Sequence, residues 1–215
     1  MYQHIHPEEI EPRSLACIDA EVPEPRPFYG MEWAVVRRMI HTSADFSLLE
    51  SVRLHPEAIQ AGIHALRSGA DIVTDTQMAL AGISRQRLAP FGCTVRCLMG
   101  DPDIASRAKA DGVTRAWAAV DAVMARGGAD IFVMGNAPTA LYRLLDRVEQ
   151  GAPAPRLVVG MPVGFVNAAE SKEILMAQKR IPFITVAGRK GGSALAASVI
   201  NALAILAAEQ GTCTS

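Results

Sequence analysis

A chain of 215 residues, 50% hydrophobic and 20% charged, is long enough for one sizeable α/β core and too apolar for extended disorder. Twenty-one Lys and Arg against twenty-two Asp and Glu leave a formal charge of −1, without the basic excess that binding to a phosphate backbone leaves in a sequence. The start, MYQHIHPEEIEPRS, has no basic segment followed by an apolar one, and no continuous run of about 18 apolar residues occurs; a cytoplasmic protein with neither nucleic acid nor membrane as partner is expected.

Residues 1–30 read as a partly ordered N-terminal arm, 30–208 as one α/β domain and 209–215 as a C-terminal tail. Within the arm, PRSLACIDAE allows a short helix with Ser14 near its start, and the prolines of EVPEPRPFYG forbid a helix from running on. MEWAVVRRMIHTSAD puts Trp33, Val36, Met39 and Ile40 on one helical face and His41 at its end. HPEAIQAGIHALRSGA predicts a largely surface helix carrying His55 and His64, with Pro56 in its first turn and Gly69 as its stop. DIVTDT is a short strand ending near Asp75, TQMALAGI a short helix, and CTVRCLMGD a further apolar run. VTRAWAAVDAVMARGGA has helical spacing and a Gly-Gly terminator. From there strand and helix alternate: DIFVMGN, TALYRLLDRVEQ, RLVVGMPVGF, NAAESKEILMAQK, PFITVAGRKGGS and SALAASVINALAILAAE. This order predicts a single α/β domain with a mainly parallel, roughly five-stranded sheet flanked by helices on both faces. The last helix suits either burial against the sheet or a contact between subunits.

Cys17, Cys93, Cys97 and Cys213 have no export signal ahead of them and are expected reduced; the spacing in CTVRC suits two small core residues better than a zinc site.

Three strands end in glycine-rich turns: Gly135, Asn136 and Pro138 after the first, Gly160, Pro162 and Gly164 after the second, Gly188, Gly191 and Gly192 after the third. In a parallel sheet such turns share one edge, where bare backbone N–H groups can hold carboxylates or phosphates, although glycine after a strand is also ordinary turn chemistry. None has the dinucleotide-binding spacing and no phosphate loop occurs, so a nucleotide-dependent α/β enzyme is the weaker alternative. Arg115, Arg189 and Lys190 are either solvated charges or ligands for a molecule with several carboxylates. No paired glycosidase-like carboxylates, G-x-S-x-G or H-E-x-x-H appear. Among the histidines, His4 and His6 sit in the N-terminal stretch, while His41 is either a proton donor beside Thr42 and Ser43 or a helix-end cation.

Taken together, MIHTSADF, DIVTDTQMALAGI, VMGNAPTAL, VVGMPVGFVNAAESKE and PFITVAGRKGGSALAASVINAL resemble the precorrin-8X methylmutase family of cobalamin biosynthesis over about Ser14 to Leu206. HTSAD and DIVTDTQMALAGI are more similar to its cobalt-precorrin-8 branch. The resemblance implies an isomerase that moves a methyl group from C-11 to C-12 of precorrin-8, giving hydrogenobyrinate or, with cobalt in the substrate, cobyrinate. It implies no cofactor and no protein metal site, His41 as proton donor, and a homodimer that hands its product to the next pathway enzyme. It assigns substrate binding to Ser14, Arg115, Gly135, Asn136, Ala137, Gly160, Met161, Pro162, Val163, Gly164, Phe165, Arg189, Lys190, Gly191, Gly192 and Ser193. The Pro-rich stretch from Val22 to Tyr29 matches no family signature. A corrinoid carrier without catalytic activity is the alternative from another class.

Overall fold

The computed structural model describes residues 5–212; His4 and Cys213 lie outside the described residues. The N-terminal helix α1 (Pro7–Glu21) is longer than the sequence pattern suggests, with Pro7 at its first position, and it ends before the proline-rich segment. It is followed by α2 (Gly30–Ser43), α3 (Leu48–Ser51), β1 (Val52–Leu54) and α4 (Ala58–Arg67). Next come β2 (Asp71–Thr74), α5 (Gln77–Gly82), α6 (Arg85–Leu88), a short 3-10 turn, and β3 (Thr94–Cys97). The remainder is α7 (Pro102–Asp111), α8 (Arg115–Met124), β4 (Ile131–Met134), α9 (Pro138–Glu149), β5 (Leu157–Gly160), α10 (Ala168–Ala177), β6 (Phe183–Val186) and α11 (Ser193–Thr212). Local chemistry sets several starts: the hydroxyls of Thr76, Ser84 and Thr114 accept amide N–H groups from the first turns of α5, α6 and α8.

The sheet order is β1-β6-β5-β4-β2-β3, six strands where roughly five were expected. Strands β2 to β6 run parallel, and the sixth, β1, pairs antiparallel with β6 through Val52 and Val186. Its three residues carry no alternation long enough to read in the sequence. A second element absent from the sequence reading is α7, started by Asp101 and Pro102 and stopped by Gly112 in the left-handed region.

Strand side chains alternate between two apolar layers. Ile131, Val133, Leu157 and Val159 face the layer with α2, α4 and α11, whereas Phe132, Met134, Val158 and Phe183 face the layer with α7 to α10. Helix α4 is half core, because Ile59, Ile63 and Leu66 are buried, which corrects its reading as a surface helix. By length and hydropathy Ser193–Gln210 could span a bilayer, but 67% of that window is buried in the fold, so α11 is the core helix. Its polar Asn201 joins it to the α5–α6 connection, accepting from the Ser84 N–H at 2.8 Å and donating to the Gly82 carbonyl at 2.9 Å. Cys93 and Cys97 flank and end the edge strand β3 and are half-buried rather than core.

Candidate active site on the carboxyl edge of the sheet

The parallel strands deliver five connections to one rim: Asp75–Thr76 after β2, Leu98–Asp101 after β3, Gly135–Ala137 after β4, Met161–Phe165 after β5 and Ala187–Gly192 after β6. Chain order reverses between β2 and β4, since β2 is flanked by β3 on one side and β4 on the other. Such a reversal opens a crevice at the strand ends.

Asp75 occupies that crevice and is 7% exposed. Its carboxylate accepts from the amides of Gly135 at 2.9 Å, Asn136 at 2.8 Å and Ala137 at 2.6 Å. Burial pushes the Asp75 carboxyl above its usual range, and the same amides oppose that push. The bare amides that the sequence offers to a ligand at this turn are therefore already bonded within the protein.

The glycines serve close contact between the turns. A Cβ on Gly135 would lie 2.5 Å from the Ser193 Cα, and one on Gly191 would lie 2.3 Å from the Met161 carbonyl oxygen. Gly192 N–H donates to Met161 at 2.9 Å, Gly164 N–H to Arg189 at 3.2 Å, and Met161 N–H to Met134 at 2.7 Å. Ser193, itself buried, shares a 2.8 Å hydroxyl hydrogen bond with Thr76. Gly160, Met161 and Pro162 are buried beneath this assembly, so they build the rim rather than face outward. Val163 is 43% exposed, Phe165 85% and Val166 76%, and across the rim Met78 at the start of α5 is 70% exposed. Val163, Phe165 and Val166 thus leave apolar side chains in the open after β5, with the Arg189 guanidinium 5.5 Å from the Phe165 ring centre.

At the β2–β4 end lies a cavity of about 530 Å³ lined by Asp75, Thr76, Gln77, Arg115, Asn136 and Thr139, among others. Arg115 is the first, exposed residue of α8, whose cap Thr114 bonds Thr139 at 2.8 Å. The structure thus brings Arg115, Asn136 and Ala137 together and adds Asp75, Gln77 and Thr139.

His41 lies at the other end of the same rim. Helices α2 and α11 run antiparallel: the Gln210 amide touches the Met31 sulfur at 3.3 Å, and beyond the far end of α2 the Lys190 ammonium bonds Asp45 at 2.7 Å and Ser47 at 2.5 Å. The last turn of α2, where His41 sits half-buried, is thereby placed beside the 188–193 turn. Thr42 and Ser43 donate back to the carbonyls of Arg38 and Met39, so their hydroxyls do not orient the ring. Glu11 of α1 is held below the usual carboxylate range by its hydrogen bond to Arg38, against burial, with the charges of Arg38, Arg87 and His41 adding to the effect. Helix α1 runs antiparallel to α2, pairing Glu11 with Arg38 at 2.6 Å and Asp19 with Trp33 at 2.7 Å. Ser14 therefore lies a turn beyond Glu11, away from the end that carries His41. Between β6 and β2 lie three strand spacings, about 14 Å. A single ligand touches both His41 and Arg115 only by spanning the rim. Among the described residues no group of three or more His, Cys, Asp or Glu gathers to hold a metal.

A family model described as precorrin-8X methylmutase matches residues 9–206. The chain belongs to the precorrin-8X methylmutase family. It is accordingly an isomerase of cobalamin biosynthesis. A cobalt-precorrin-8 methylmutase of Priestia megaterium is 44% identical over 203 residues, 94% of this chain and 89% of that one. A precorrin-8X methylmutase of Pseudomonas aeruginosa is 43% identical over 168 residues, 78% of this chain and 80% of that one. The solved structure of a precorrin-8X methylmutase from Thermus thermophilus superimposes with a TM-score of 0.88 at 44% identity, covering 97% of this chain and all of that one.

Within this methylmutase fold, sequence reasoning missed Asp75, Asp45, Gln77 and Met78. Asp75 and Asp45 are single acids beside a strand or a helix end, a pattern that reads as solvated charge; their neighbours in space come from distant segments. Lys190 was assigned to the substrate, and the structure shows its ammonium engaged by Asp45 and Ser47.

Proposed function

We propose that the protein moves the methyl group of precorrin-8, or of its cobalt complex, from C-11 to C-12. The C-11–methyl bond breaks as the C-12–methyl bond forms, and the ring double bonds shift so that product and substrate have the same atoms. Hydrogenobyrinate or cobyrinate results, with any cobalt carried by the substrate. His41 donates a proton to the macrocycle during the shift and recovers it afterwards; a positioned acid typically contributes about 100- to 10,000-fold. The remaining acceleration comes from holding the ring in one geometry.

What supports this reading is the tie between the segment just beyond His41 and the 188–193 turn: Asp45 bonds the Lys190 ammonium, and Arg189 of the same turn lies over the exposed Phe165 ring. A flat ring with an apolar face and a border of acids fits that surface: Val163, Phe165 and Met78 meet the face, while Arg189 and Arg115 meet peripheral carboxylates at opposite ends. A homodimer in the cytoplasm, with direct delivery of product to the next enzyme, completes the proposal.

His41→Ala is the test. Precorrin-8 mixed with this variant should produce the absorption change of binding and no conversion, because a half-exposed helix-end side chain is dispensable for the core. Turnover equal to that of the parent would remove His41 as the acid. A parent protein that binds the pigment and leaves it unchanged would be a carrier.

A further inference from the structure

Lys172 stands in the middle of α10 with none of its side chain exposed. Its ammonium donates to the Lys190 carbonyl at 2.6 Å, and among the described residues its other two N–H donors have no hydrogen bond and no carboxylate pairs with it. Withdrawing a lone ammonium from water costs several kcal/mol, more than one bond to a neutral carbonyl returns, and an unbranched apolar side chain would fill the same space at no such cost. A charge kept at this expense needs a reason outside packing, and the one hydrogen-bond partner it has among the described residues belongs to the glycine-rich turn of the rim.

We propose that Lys172 is a positioning residue for substrate binding, which fixes the Lys190 carbonyl from below and so sets the 188–193 turn for the carboxylates of the macrocycle. The inference rests on the functional reading above. Lys190 is tied at both ends: its carbonyl to Lys172, its ammonium to Asp45 and Ser47 in the segment that follows the helix of His41. One residue thus joins α10, the carboxylate-binding turn and the helix that presents the acid. Gly191 and Gly192, next in the chain, are held against Met161, which leaves the Lys190 peptide as the part of the turn that Lys172 fixes.

The surroundings leave the ammonium without a competing counter-ion. Glu170 and Glu173 of α10 are exposed. On α9, Tyr142 faces those two acids, and Arg143 is committed to Asp121 and Asp146. Strand β6 has no titratable side chain. The turn above contributes only Arg189 and Lys190, both cationic. Burial draws the Lys172 ammonium down to a pKa of about 8. A role that depends on its charge is therefore strongest below that pH and fades as pH rises through it.

The experiment compares parent and Lys172→Met by thermal unfolding, by absorption titration with hydrogenobyrinate, and by turnover of precorrin-8. The variant should melt at or above the parent's temperature while binding about tenfold more weakly, the worth of roughly one hydrogen bond, and its KM for precorrin-8 should rise in step. Parent affinity should fall from one pH unit below about 8 to one unit above it, and the variant's should stay level. Equal affinity in the two proteins overturns the proposal; should Lys172→Met fail to fold, Lys172→Leu is compared in its place, and equal affinity there overturns it as well. A parent that binds no hydrogenobyrinate overturns the functional reading together with it.

Discussion

Replacing Asp75 by asparagine tests how the rim is built. In the parent one carboxylate oxygen accepts from Gly135 and the other from Asn136 and Ala137, at 2.6 to 2.9 Å. An asparagine does best by turning its carbonyl toward the latter two amides, which leaves its NH2 group facing the Gly135 N–H, donor against donor. A buried amide without an acceptor costs about 1–3 kcal/mol. The two retained bonds lose their ionic partner and with it about half their strength. Against this, the neutral side chain is easier to bury, the same effect that raises the Asp75 carboxyl. We expect a net loss of about 2–3 kcal/mol, the orphaned amide being the largest contribution. For a chain of this size that lowers the melting temperature by about 4–12 °C. Because Gly135 packs against the Ser193 backbone, corrinoid affinity should fall with it. Circular dichroism melts and a pigment titration read both. A melting temperature within about 1 °C of the parent, with unchanged affinity, would show that the turn does not depend on those bonds.

Gly191→Ala forces a Cβ to within 2.3 Å of the Met161 carbonyl and 2.8 Å of the Pro162 carbonyl, both backbone atoms. Urea unfolding should show a loss of about 1–3 kcal/mol, and corrinoid titration a parallel loss of affinity. The Lys190 hydrogen bond, with help from Ser47, holds the Asp45 carboxyl down at a pKa of about 2 against an ordinary 3.8. The folded pKa being the lower, this contribution is complete above 3.8 and disappears as pH falls toward 2; acid-unfolding curves of the parent and Asp45→Asn should differ at neutral pH and converge within that window. Both side chains are a third or more exposed, so the difference should be no more than about 1 kcal/mol.

The parallel core was legible because each buried strand is a short β-branched run closed by glycine, asparagine or aspartate, and because helices such as α9 carry Leu141, Leu144, Leu145 and Val148 at helical spacing. Strand β1 was not, since its three residues become a strand only by pairing with β6. Nor was α7, whose alanines and charges give a weak apolar stripe, although Asp-Pro before it and glycine after it mark both ends. In the site, Arg115 and the turns could be found because their residue types are conspicuous in a sequence. Asp75 and Lys172 could not. An acid after a strand and a lysine in ESKE both look solvated, and only the packing of segments about 60 and 18 residues away reveals them as buried partners of backbone.

The glycine turns also mean something different in space from what they suggest on paper. Gly135 and Gly191 let one turn rest on the next, and many of the amides around them are satisfied inside the protein. Carboxylates of a ligand then have to be met chiefly by side chains, and those on this rim fall into two groups. Asp75 and Lys172 are buried and hold backbone, so disturbing either one moves the turn that it holds. Arg115, Arg189 and Lys190 are exposed, and Lys190 is joined to Asp45 by an ion pair of about 0–1 kcal/mol. Under the function proposed above, a substrate carboxylate would take the place of Asp45 at small cost while Lys172 keeps the backbone beneath in place. Under the same proposal, that division suits an isomerase: exchangeable cations would accept and release an acidic ring while the fixed backbone keeps it in a single orientation for His41, which is what a methyl shift within one molecule requires.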